Sequence, residues 1–95
     1  MIVRWSPDAA ADLEKIVEFI STESASAAGR VGRSIYQETK ELARFPRRGR
    51  SGRIEGTREL TLPPLPFIVV YRVLDVQQTV EIVNIIHGAQ RWPPT

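Results

Sequence analysis

Apolar residues recur at two different periods along this chain, and the change falls near its middle. Leu13, Ile16, Val17 and Ile20 are spaced i, i+3, i+4, i+7, one stripe of an amphipathic helix. Ser6-Pro7-Asp8 supplies its start: a hydroxyl to accept orphan amide bonds, a proline suited to the first helical position, and an acid at the positive end of the dipole. The pattern predicts a short strand at Met1–Trp5, a helix running to about Thr22, and a break at Glu23-Ser24-Ala25-Ser26. A second helix is expected from about Ala27 to Arg44, with Val31, Ile35, Leu42 and Phe45 on one face and Pro46 ending it. Gly29 and Gly32 each weaken such a helix by about 1 kcal/mol relative to alanine, but their small size offers the first helix a close approach.

Beyond an exposed loop at Arg47–Thr57, rich in glycine and arginine, the period becomes two. Arg58 to Leu62 reads as a strand with Arg58, Leu60 and Leu62 on one side. Leu62-Pro63-Pro64-Leu65-Pro66 cannot lie inside a sheet and must turn. Phe67–Leu74 is a second strand, apolar on both faces until Arg72, and Asp75–Gln78 a hairpin connection. Thr79–Ile86 is a third, with Val80, Ile82, Asn84 and Ile86 on one face and Glu81, Val83, Ile85 and His87 on the other. These elements predict an α+β fold: a short N-terminal strand and a helical hairpin packed on one face of a small antiparallel sheet. Ninety-five residues suit one domain, 1–95, with one modest core.

Composition narrows the function classes. No apolar run approaches the roughly 18 residues needed to span a bilayer, and the N-terminus lacks a signal-peptide layout. A cytoplasmic location and no membrane contact are therefore expected. With no cysteine and one histidine, His87, the sequence offers neither thiolate chemistry nor a transition-metal site, and no cofactor is expected. The net charge of +2 conceals an asymmetry. Arg44, Arg47, Arg48, Arg50, Arg53 and Arg58 stand against one acid, Glu55, so fifteen residues carry +5 and the remainder carries −3. Eleven arginines to two lysines is the bias of a chain that grips phosphates or carboxylates with a planar fork. The loop from Arg47 to Arg53 is a candidate contact surface, or else a solvated basic loop.

Three phrases in order, "GTREL" at 56–60, "PFIVVYRV" at 66–73 and "VEIVNIIHGAQRWP" at 80–93, together with the S-P-x-A-x-x-D-L helix start, resemble the RelE/ParE superfamily. The resemblance covers nearly the whole chain and implies a toxin of a bacterial type II toxin–antitoxin system. RelE-like members cleave mRNA in the ribosomal A site without metal, which requires a proton acceptor for the 2′-hydroxyl, cations for the phosphorane and an acid for the leaving oxygen. By resemblance, their lysines fall at about Glu59 and Thr61 here, and their arginine at Ile68. Loss of a positioned cation at Ile68 removes transition-state stabilisation of about 3 kcal/mol. ParE-like members poison DNA gyrase by protein–protein contact and need no catalytic constellation. "GTREL", the Tyr-Arg-Val strand and the His-Gly-Ala-x-x-Trp-Pro ending are similar to that branch, whereas "LPPLP" replaces an expected glycine-bearing turn.

The resemblance thus implies a gyrase poison without catalytic residues; the alternative is a ribosome-dependent mRNA endonuclease using His87, Arg58 and Arg72. His87 suits a general acid or base, or a strand-end histidine bonded to backbone, Glu81 or an arginine. Arg58 and Arg72 suit phosphate binding, or pairing with Glu59 or Glu81 across strands. Target contacts are assigned to Arg47, Arg48, Arg50, Arg53, Arg91 and Trp92, with Trp92 alternatively an aromatic lid over the helix–sheet seam. A ParD-like antitoxin in a hetero-oligomeric complex is the implied partner, docking an amphipathic segment on apolar surface at Val17, Phe19, Ile20 and Leu65. DNA gyrase is the implied target, or the ribosome and mRNA in the alternative.

Overall fold

A computed structural model describes residues 1–94. The elements run β1 (Ile2–Trp5), α1 (Pro7–Ser21), α2 (Ala25–Glu41), β2 (Arg50–Ser51), β3 (Arg58–Thr61), β4 (Phe67–Leu74) and β5 (Thr79–His87). The five strands form one sheet in the order β1-β5-β4-β3-β2. β2 to β5 are antiparallel, as expected for the C-terminal half, while β1 joins the far edge parallel to β5, with Ile2 beside Thr79 and Trp5 beside Ile82. The sheet is therefore mixed, and its two helices cover one face.

Each helix starts on a serine. Ser6 Oγ accepts from Ala9 N–H at 3.0 Å, and Ser24 Oγ accepts from Ala27 N–H at 3.2 Å. The second cap moves the start of α2 back to Ala25, inside the predicted break. The helix also stops at Glu41, ahead of Arg44, because Leu42, Ala43 and Arg44 donate to carbonyls three residues back in a tightened last turn. Phe45 consequently leaves the apolar face and stands 54% exposed. A Cβ on Gly32 would lie 3.2 Å from Val17 of α1, so this glycine does admit the close approach; Gly29 faces its own Arg33 instead. Ala9, Ile35, Leu42, Leu60, Leu62, Val69, Tyr71, Val80, Ile82 and Ile85 form the core between helices and sheet.

Strict alternation fails in β5. Val70 pairs with Asn84 but Tyr71 with Ile82, so Val83 is the extra residue of a β-bulge. Val80, Ile82 and Ile85 thus lie in the helix-side core, whereas Ile86 packs with Ile68, Val70 and Val83 on the opposite face. The bulge takes backbone groups out of the ladder, and α1 supplies their partners. Ser6 Oγ donates to Val83 O at 2.8 Å. Asp12 Oδ2 accepts from Ile85 N–H and from Asn84 Nδ2, both at 2.9 Å.

The arginine-rich loop is fastened to β3 and β4 and contains β2. Tyr71 is fully buried and its hydroxyl accepts from Gly49 N–H at 2.8 Å. A Cβ on Gly49 would meet the Tyr71 ring at 2.8 Å and the Glu59 carbonyl at 2.9 Å, so only glycine fits. Glu59 is 2% exposed. Its carboxylate accepts from Arg53 N–H at 2.9 Å, from the Arg53 guanidinium at 3.1 Å and from Arg50 at 3.0 Å. Burial opposes its ionisation, but the bonds from Arg53 and Arg50 outweigh burial and hold its pKa at about 2, below the ordinary 4.5.

Two outcomes follow. Asp12→Ala leaves the Ile85 N–H without its acceptor and should lower unfolding free energy by about 2 kcal/mol in urea titration, with Asp12→Asn recovering part of the loss. Because the Glu59 pKa is depressed on folding, its contribution is present above 4.5 and is lost as pH falls toward 2. That contribution is about 2–3 kcal/mol. Glu59→Gln should be less stable at pH 7 and lose much less stability than the parent on acidification to about pH 3.

Candidate functional site

An apolar groove of about 440 Å³ opens where α1, α2, the turn before β4 and the end of β5 meet. Its floor and walls are Ile16, Phe19 and Ile20 from α1, Val31 from α2, and Leu65, Pro66 and Phe67 from the turn and β4, with Lys15 and His87 at its margin. Phe19 is 77% exposed, an unusual position for a phenylalanine in a fold with buried alternatives. α1 reaches the groove because its stripe is wider than the core needs: Leu13 and Ile16 pack inward while Phe19 and Ile20 continue past the sheet. The turn presents Leu65 through a bond from its N–H to Leu62 O at 2.7 Å.

Of the residues assigned to antitoxin contact, the groove gathers Phe19, Ile20 and Leu65. Val17 faces α2 and lines a separate depression with Trp5, Leu13 and Tyr36. Ile16, Val31 and Phe67 were not in that assignment. Their signal lay in the helical period of Ile16 with Ile20, and in the distance along the chain that only folding closes.

His87 sits at the rim of the groove, its ring edge-on to Phe67 with centroids 5.7 Å apart. Its Nδ1 accepts the Ala89 N–H at 3.0 Å. With Nδ1 accepting, the hydrogen of the neutral ring lies on Nε2. Neither Glu81 nor an arginine holds this ring; a backbone amide does.

Arg58 and Arg72 are not brought to His87. Arg58 donates to Gly49 O at 2.7 Å and Arg47 O at 3.3 Å, on the side of Leu60 and Leu62. Arg72 stands 4.0 Å from Glu81, which also holds Arg4 at 3.2 Å. Along β4, His87 pairs at Phe67 and Arg58 at Tyr71, so four residues, about 13 Å of strand, separate them. At the positions of the RelE-like cations, Glu59 is clamped by two arginines, Thr61 is exposed and Ile68 is buried beneath Trp92.

Every arginine of the loop surface has an acid partner. Arg47 reaches both oxygens of Asp75 at 2.8 Å, Arg48 reaches Glu38 at 2.7 Å, and Arg50 and Arg53 share Glu59. Their side chains remain 42–58% exposed and so still present their outer edges to a partner. Arg91 is exposed at the C-terminal end. Trp92 is indeed a lid, but it covers Ile68, Val70 and Ile86 on the face away from the helices, and the helix–sheet seam lies elsewhere. Among the described residues no group of acids and histidine is arranged to hold a metal ion, and no helix is long and apolar enough to cross a membrane.

The sequence matches the family model described as "ParE toxin of type II toxin-antitoxin system, parDE" over residues 3–92. It is 38% identical over 91 residues to "Putative toxin Y4kP" of Sinorhizobium fredii, spanning 96% of this chain and 92% of that protein. It is 36% identical over 88 residues to "Toxin RelE2" of Caulobacter vibrioides, spanning 93% and 96%. Among solved structures, the chromosomal ParDE toxin–antitoxin system of P. aeruginosa superposes with a TM-score of 0.81 at 28% identity, covering 92% of this chain and 95% of that one. The E. coli RelBE toxin–antitoxin complex superposes at 0.69 with 16% identity, which shows the shared fold. The two helices on a mixed five-stranded sheet, the matched residues 3–92 and the full-length relatives agree: the chain belongs to the ParE toxin family of type II toxin–antitoxin systems.

Proposed function

We propose that this toxin poisons DNA gyrase by protein–protein contact and is neutralised by a ParD-like antitoxin whose amphipathic segment occupies the groove between α1, α2 and the turn before β4. The observation that carries the reading is the failure of the cleavage groups to converge. His87 spends its one lone pair on Ala89 N–H, Arg58 is committed to backbone carbonyls, and Ile68 is an apolar residue under Trp92. A dianionic phosphorane at Ile68 would meet an apolar side chain where a cation is needed, and the cation that β4 does carry, Arg72, lies four residues along the strand beside Glu81. Poisoning by contact needs only surface, which the half-exposed arginines Arg47, Arg48, Arg50 and Arg53, together with Arg91, supply.

The antitoxin assignment rests on the groove. Apolar walls with Phe19 exposed are the anatomy of a helix-in-groove site, and Lys15 at the margin favours an acidic residue on the docking segment. Two of the structures that superpose on this chain, the ParDE system of P. aeruginosa and the RelBE2 complex of Mycobacterium tuberculosis, are of toxin–antitoxin systems. An endonuclease reading draws support from the likeness to a protein named RelE2, and one pair of assays separates the two.

Purified protein is expected to abolish supercoiling by gyrase and to leave ribosome-bound mRNA intact; A-site cleavage with unimpaired gyrase would sink the proposal. His87→Ala should retain growth inhibition, whereas a nuclease that used His87 as acid or base should lose about 10²- to 10⁴-fold in rate. Phe19→Asp or Leu65→Asp should weaken antitoxin binding by at least about 30-fold in calorimetry, the order of a lost interface anchor of about 2 kcal/mol, with gyrase inhibition unchanged.

A further inference from the structure

β1 lies at one end of the sheet, and its parallel ladder with β5 uses only half of its backbone groups. Ile2 N–H donates to Gln78 O at 3.0 Å and Ser6 N–H to Ile82 O at 2.9 Å. The even-numbered residues therefore turn their amides toward β5, and the amides and carbonyls of Val3 and Trp5 turn to the open edge. Two donors and two acceptors at i and i+2 match the repeat of one more strand, and such an edge is a template for pairing. β1 holds no proline to blunt it, and its one charged side chain, Arg4, is engaged by Glu81 at 3.2 Å.

The helix side of this edge is shaped in two halves. Tyr36 of α2, 50% exposed, stands as a ridge beside Trp5. On one side of the ridge a depression runs to Ile2, Ala43 and Lys40. On the other, a second depression runs to Leu13, Val17, Glu14 and Glu18. Lys40, Glu14 and Glu18 are exposed. Unlike the arginines of the loop, none of the three has an ion pair among the described residues. A surface with an apolar middle and opposite charges at its two ends fits itself when turned end for end. Parallel pairing of two such surfaces would set like charges together; antiparallel pairing sets Lys40 of each copy against Glu14 and Glu18 of the other.

We propose that two copies of this chain join edge to edge through β1, antiparallel about a two-fold axis at Arg4. In that register the Val3 amide and carbonyl of each copy bond those of Trp5 in the other, and the two sheets become one. The Tyr36 ridges close over the joint from the helix side. On the opposite face the two Arg4 side chains meet across the axis, and the Glu81 that each already holds offsets the repulsion of like charges placed opposite each other. The antitoxin groove uses the other flank of α1, at Ile16, Phe19 and Ile20, so the paired form leaves it open. Pairing is independent of which target the toxin takes.

In sedimentation equilibrium the purified chain should be dimeric at about 100 μM and dissociate on dilution. By hydrogen–deuterium exchange, the amides of Val3 and Trp5 should slow by about tenfold between the dilute and the concentrated protein, while those of Ile2 and Arg4, already bonded to β5, change little. Lys40→Glu, and separately Glu14→Lys with Glu18→Lys, should each weaken the dimer by about tenfold, since every change acts twice across the axis. An equimolar mixture of the two variants puts opposite charges together again and should regain the parent's affinity as a heterodimer. A chain that stays monomeric at the higher concentration would overturn the pairing, as would a dimer indifferent to the charge reversals or not restored by the mixture. A monomeric free chain whose Val3 and Trp5 amides slow only in the toxin–antitoxin complex would give the edge to the antitoxin and overturn it equally.

Discussion

The contact on which most of this structure depends is the clasp between the first turns of α1 and the bulge of β5. An antiparallel strand with an inserted residue leaves ladder groups unmatched, and an unmatched amide in a partly buried setting is expensive. Ser6 and Asp12 answer that need from one helix, since a serine at the cap and an acid six residues later lie on its sheet-facing side. The bulge in turn determines where the end of β5 points. It turns Ile85 toward the helices and Ile86 away, and it brings His87 to the groove beside Phe67. The groove and the patch under Trp92 are on opposite faces of the sheet, yet both inherit their geometry from this single junction.

Much of the fold was legible in the sequence because it depends on local physics. The cap at Ser6, the apolar stripe of α1 and the strands after Arg58 each follow from spacing and backbone chemistry. The parallel seat of β1 and the bulge at Val83 were not legible. The first pairs residues from opposite ends of the described chain, and the second exists only once β4 and β5 pair and is held by Ser6, 77 positions away, so no local period encodes either. For the site, three of the four proposed antitoxin contacts meet in one groove because exposed apolar residues on a helix are visible as an excess over the core stripe. Val31 and Phe67 join them only through packing.

The arginine cluster teaches a related lesson about charge. Counted along the chain it is strongly basic, but its partners Glu38 and Asp75 come from α2 and the last hairpin, and Glu59 comes from the adjacent strand. The exposed pairs add little stability each. Their effect is orientation, since a guanidinium held on one edge shows its other edge outward in a fixed direction. The Glu59 clamp differs because its carboxylate is buried and takes three donors from one arginine and a fourth from another. It secures the loop, so the outer edges of Arg50 and Arg53 are presented from a rigid base.

The position of β5 has a consequence for how the protein comes into being. Among the described residues β5 is the last element in sequence, yet it lies between β1, the first, and β4. While the polypeptide is still emerging, β1 has no neighbour, the bulge that Ser6 and Asp12 hold does not exist, and the groove lacks the side that His87 provides. Non-local closure of this kind is slow compared with helix formation. A growing or prematurely ended chain therefore holds the helical hairpin without the sheet that shapes either surface.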